Sequence, residues 1–126
     1  MNDLKQRTKA FALRIIRMVD ALPKDRVAEV LGKQLLRSGT SVGANYRASA
    51  RARSTSDFIA KLKIVEEECD ECSYWMELII ESGRMRESRV QSLLDEANQI
   101  LAMIVAAIKR SRRQLTASKT RSSRTS

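Results

Sequence analysis

The chain has 126 residues, 43% of them hydrophobic and 31% charged, with a net charge of +9 and a pI near 10.2. This suits one globular domain and excludes a disordered chain. No run approaches the roughly 18 apolar residues of a membrane span, and the complete absence of histidine removes Ser-His-Asp and Cys-His catalysis and histidine-based metal sites.

With 4 glycines and 1 proline there is little material for the turns a sheet requires, so the sequence predicts long helices. Aromatics are 4%, so the core is expected to consist of Leu, Ile, Val, Met and Ala. In the first element Leu4, Thr8, Phe11, Ile15, Met18 and Leu22 alternate spacings of four and three, a heptad seam. Pro23 ends it, because a residue before proline avoids the helical region. Asp25 opens the second helix with an acid at the positive end of its dipole.

That helix has Val27, Leu31, Leu35, Ser38, Val42 and Asn45 along one face. Its middle, Ser38-Gly39-Thr40-Ser41-Val42-Gly43-Ala44-Asn45, has the composition of a loop, but the stripe runs through it. Two interior glycines cost roughly 1 kcal/mol each relative to alanine, so their spacing of four predicts a close helix approach. Ser54, with Asp57 three residues on, reads as the N-cap of a third helix, seamed by Phe58, Leu62, Val65, Cys69, Cys72, Met76 and Ile79 and closed by Gly83. Ser88-Arg89-Val90-Gln91 has the form of a capping box, followed by Val90, Leu93, Ala97, Leu101, Ile104, Ile108 and Leu115.

The prediction is an all-α, antiparallel up-down-up-down four-helix bundle over residues 1–115, with helices at about 3–22, 25–53, 55–82 and 88–115, and a disordered basic tail at 116–126. Apolar residues off the seams (Ile16, Ile59, Leu78, Ile80, Val105) point to a second buried surface and self-association.

Little in the chain could carry chemistry. Cys69-Asp70-Glu71-Cys72 lacks a second ligand pair for zinc and the strand context of a redox motif, so both cysteines read as small core residues. The run Glu66, Glu67, Glu68, Asp70, Glu71 reads as a solvated face or as subunit-contact ion pairs. Tyr74 and Trp75 could stack on a nucleobase, but packing within or between bundles is the simpler reading. No catalytic residue, cofactor or metal site is expected. The polar N-terminus is unlike a signal peptide, and two free thiols suit a reducing cytoplasm.

The charge is unevenly placed. Seven of the nine net positive charges lie from Lys109 onward, which leaves +2 for residues 1–108. A second zone, Lys33, Arg37, Arg47, Arg51 and Arg53, has no acid between Glu29 and Asp57. Such zones neutralise phosphates without reading sequence. Lys109, Arg110, Arg112 and Arg113 are therefore candidate main nucleic-acid contacts, with Arg37, Arg47, Arg51 and Arg53 secondary.

Gln34-Leu35-Leu36-Arg37-Ser38-Gly39-Thr40-Ser41-Val42-Gly43-Ala44-Asn45-Tyr46-Arg47, the block Asp57–Glu68 and Glu71-Cys72-Ser73-Tyr74-Trp75-Met76-Glu77-Leu78 resemble the bacterial four-helix-bundle proteins found as reading frames in intervening sequences of 23S ribosomal RNA genes. The resemblance covers about residues 4–112. Cys72 stands where the family usually has Thr. It implies a homopentamer and kinship with the accessory protein of diversity-generating retroelements, which binds a reverse transcriptase and nucleic acid. No catalytic residues carry over from it, and the family name records a genetic location. Two functions follow as expectations. One is a non-enzymatic oligomer binding RNA or DNA. The other is a scaffold for a partner protein such as a polymerase, without nucleic-acid contact. Neither involves a membrane.

Overall fold

The computed structural model describes residues 3–125, with side chains to Arg121; Met1, Asn2, Ser126 and the side chain of Arg124 in the basic tail lie outside the described residues. Four helices follow one another: α1 Asp3–Asp20, α2 Arg26–Ser49, α3 Thr55–Glu81 and α4 Glu87–Thr125. Each packs against its two neighbours, and α1 closes the ring on α4. Cross-helix pairs fix the directions. Gly32, Gly39 and Gly43 of α2 face Val19, Ile15 and Thr8 of α1 in falling order. Arg7 reaches Glu96 and Met103 of α4, whereas Arg14 reaches Ser92. By these pairs α1 runs antiparallel to both α2 and α4, as an up-down-up-down bundle demands.

The seams form most of the core. The five seam residues of α1 and Leu22 just beyond it are buried, Phe11 and Ile15 completely. The same holds for α3 from Leu62 to Ile79. Three stripe positions give way to a neighbour in sequence. Val27 is 42% exposed and Ala28 is buried in its place; Leu101 is half-buried and Ile100 is at 0%; Phe58 is half-buried where Ile59 is buried. In each case an adjacent residue satisfies a three-or-four spacing equally well, and the helix's rotation about its axis decides between them.

Local chemistry fixes the ends. The Asp25 side chain accepts from the Ala28 N–H at 2.9 Å, making Asp25 the N-cap of α2. Ser54 caps α3 by accepting from Asp57 N–H, while Asp57 Oδ2 accepts from Arg53 N–H. That arrangement holds Arg53 and Ser54 outside any helix, so α2 ends at Ser49 rather than at 53. At the end of α3, Gly83 (φ 79°) and Arg84 donate to the Ile80 and Ile79 carbonyls, a left-handed closure that favours glycine. The α4 helix begins at Glu87, so Ser88 sits in the first turn and is not the cap.

The main departure concerns the tail. Residues 116–125, expected to be disordered, continue α4 as helix. The segment has no Gly or Pro to stop it, and Thr120 Oγ1 donates to the Thr116 carbonyl one turn back. It is nonetheless exposed from Thr116 to Arg121, an arm projecting about 15 Å beyond the core-packed Leu115 at 1.5 Å per residue. Lone helices of this length are marginal in water. Hydrogen exchange should therefore find strong protection from Val90 to Ile108 and little beyond Leu115. Equal protection through Thr120 would mean that another molecule covers the arm.

Candidate nucleic-acid interface

The topology brings four chain segments to one end of the bundle: the start of α1, the end of α2, the α2–α3 loop, and α4 around residue 111. Ser111 and Gln114 line a cleft with Ser49, Arg53 and Thr55, and Lys5 lines another with Arg47 and Ser49. Two basic zones more than fifty residues apart in sequence thereby share one end of the bundle, although from α4 the cleft is lined by Ser111 and Gln114 and by none of its cations. Arg51 and Arg53 are exposed in the loop. Lys109, Arg110, Arg112 and Arg113 are exposed on α4. Lys109, Arg110 and Arg113 lie on the helix face away from the buried Ile104, Ile108 and Ser111, and Arg112 at its flank.

Arg37 does not join them. It lies midway along the α2–α3 contact, where its guanidinium pairs with Glu68 at 3.3 Å and with Glu71 in a shorter contact. The hydrogen bond it donates to Glu71 holds its pKa above the ordinary arginine value. As a contact for phosphate it is already occupied, and Glu68 and Glu71 are accounted for as intrachain partners. Asp57, an acid at the basic end, is committed too. The Arg53 N–H and then Lys61 hold it below the usual carboxylate range.

Two cations that the sequence reading passed over belong to this end. Lys5 and Lys9, one turn apart on α1, face Arg47 across a groove of about 450 Å³ floored by Thr8, Ala12, Thr40, Gly43 and Ala44. Among the described residues these three cations make no hydrogen bond or ion pair. The far end differs. Arg14, Arg17 and Arg89 line a shallower pocket of about 260 Å³ there, but Asp20, Asp25, Glu81 and Glu87 are interspersed at the same end.

The remaining candidates are structural. Cys69 and Cys72 are free and fully buried, and the Cys72 thiol faces Ser38 Oγ at 3.5 Å. Burial pushes both thiols from an ordinary 9.0 up to about 12. A thiol reagent at pH 8 should label neither until denaturant is added; labelling of the native protein would contradict the buried placement. Because the folded values are raised, the stability they contribute is intact below about pH 9 and is lost as pH climbs toward 12. Trp75 packs against the core with its Nε1 buried and unpartnered, while Tyr74 stands 54% exposed beside it. Among the described residues no group of three or more acidic, cysteine or histidine side chains could hold a metal, and no helix is long and apolar enough to cross a membrane.

Residues 2–106 match the family described as 23S rRNA-intervening sequence protein. Among solved structures, the crystal structure of a protein with unknown function from the S23 ribosomal protein family of Bacteroides thetaiotaomicron is 36% identical, with a TM-score of 0.79 over 84% of this chain and 98% of that one. No curated protein matches this sequence.

Proposed function

The chain belongs to the 23S rRNA-intervening sequence protein family, and on that basis we propose that it is a non-enzymatic, homo-oligomeric bundle that binds RNA or DNA without sequence preference. The convergence of Arg47, Arg51 and Arg53 with Lys109, Arg110, Arg112 and Arg113 at one end of the bundle carries this reading. Backbone phosphates need many cations on one surface and no base-reading geometry. Exposed apolar side chains support assembly: Leu13 and Ile16 on α1, Val27, Val30 and Leu36 on α2, Ile64 and Tyr74 on α3. The number five rests on the family resemblance. Sedimentation at the mass of a single 14.3-kDa chain would sink the oligomeric part.

Fluorescence anisotropy with labelled RNA and DNA oligonucleotides tests the binding. For about five phosphate contacts on a single strand, raising salt from 50 to 200 mM should weaken affinity on the order of a hundredfold. Salt-independent binding, or none at the lower salt, would overturn the reading. The exposed Tyr74, with the unpartnered Trp75 Nε1 next to it, favours a second reading as a scaffold for another protein. Capture of a protein from nuclease-treated lysate, with no oligonucleotide binding, would establish it instead.

A further inference from the structure

The α1–α2 groove has a neighbour. Lys5 and Arg47 also border a cleft of about 210 Å³ whose other walls include Tyr46, Phe58 and Ser49. The same two cations thus stand between a wholly cationic groove, with Lys9 as the third charge, and an aromatic one. No acidic residue lines either space. The Thr8 and Thr40 hydroxyls donate to the Leu4 and Leu36 carbonyls of their own helices. In the cationic groove the side-chain donors available to a ligand are therefore the two ammonium groups and the guanidinium.

We propose that this double cleft is a nucleotide subsite, in which Lys5, Lys9 and Arg47 hold phosphate and the adjoining base lies against Tyr46 and Phe58. The chemistry is that of single-strand binding, where cations follow the backbone and aromatic rings take the bases. The inference deepens the nucleic-acid reading and adds to the α4 face a contact confined to unpaired strands, since a paired base could not enter the aromatic cleft. A free nucleotide offers the same two groups, so the source is settled by experiment.

Backbone amide shifts of the full chain report the site, titrated with inorganic pyrophosphate and with a uridine hexamer. The hexamer should move Thr8, Gly43 and Ala44 in the groove together with Ser49 and Ala50 in the aromatic cleft. The variant Lys5→Gln/Lys9→Gln/Arg47→Gln alters only exposed side chains. It should weaken the hexamer about tenfold or more and lower the salt slope by roughly 2–3. Arg14→Gln/Arg17→Gln/Arg89→Gln removes the same charge at the far end and should change affinity by under about threefold. Equal losses in the two variants would make the groove effect general electrostatics and overturn the proposal. Groove shifts without movement at Ser49 and Ala50 would overturn the aromatic half. Hexamer binding with no groove shifts would overturn the subsite while leaving the α4 interface standing. Groove shifts with pyrophosphate but no hexamer binding anywhere would keep the phosphate groove, overturn the nucleic-acid reading and point to a small phosphorylated ligand.

Discussion

Exchanging Lys109, Arg110, Arg112 and Arg113 together for glutamine should lower oligonucleotide affinity on the order of a hundredfold at 50 mM salt, because each phosphate contact removed takes about one unit from the salt slope. All four side chains are exposed on α4, and among the described residues none makes an ion pair. Thermal stability should therefore stay close to that of the parent, as surface substitutions away from special features usually fall within about 0.5 kcal/mol. Removing residues 109–126 is a poorer experiment. Ser111 is buried, and Leu115 packs against the core. A truncated chain would lose packing along with charge, and weaker binding could then come from a loosened bundle. If the substituted protein binds as tightly as the parent, the cationic face of α4 is a solvated surface and the nucleic-acid reading loses its main contacts.

How much of this was legible in the sequence depends on what kind of information each feature needs. The helices follow from seam spacing and from caps such as Ser54 and Gly83, which act within four or five residues of their position, and their antiparallel order follows from the shortness of the connections. The candidate interface needs something that periodicity does not encode. Arg37 and Arg47 look alike as isolated arginines on one helix. Glu68 and Glu71, more than thirty residues away, remove the first from candidacy. Lys5 and Lys9 look like ordinary solvated lysines until the topology sets the start of α1 beside the end of α2. That placement could have been reached: in an up-down bundle the first turns of helix one and the last turns of helix two always share an end. The tail was misread for a different reason. Its lack of an apolar stripe means only that no apolar face of it enters the core, and that is a statement about tertiary contact and not about local backbone preference.

Replacing Gly39 with leucine should cost about 3 kcal/mol and lower the melting midpoint by about 10 °C. On an exposed helix, glycine to a helix former is a gain of nearly 1 kcal/mol. At Gly39 the sign reverses because of what lies opposite. Even a methyl group there would come within 2.8 Å of Ile15 Cγ1 and Cγ2 and 3.1 Å of its Cβ. The Ile15 side chain is fully buried, and its Cβ is tied to the backbone, so only a shift of α1 as a whole relieves the contact. Gly43 is the internal comparison. A Cβ there would meet Thr8 atoms at 3.3–3.4 Å, a contact that a few tenths of an ångström relieve. Gly43→Ala should therefore stay within about 1 kcal/mol of the parent, the propensity gain offsetting the crowding. Pairing Gly39→Leu with Ile15→Ala trades the knob for the hole, and the double variant should be less destabilised than the sum of the singles by about 1 kcal/mol or more. Strict additivity would mean that the two side chains do not meet, and that α1 crosses α2 in a register other than the one through Gly32, Gly39 and Gly43. The groove holding Lys5, Lys9 and Arg47 would fall with it, since the same crossing sets those three cations around one space.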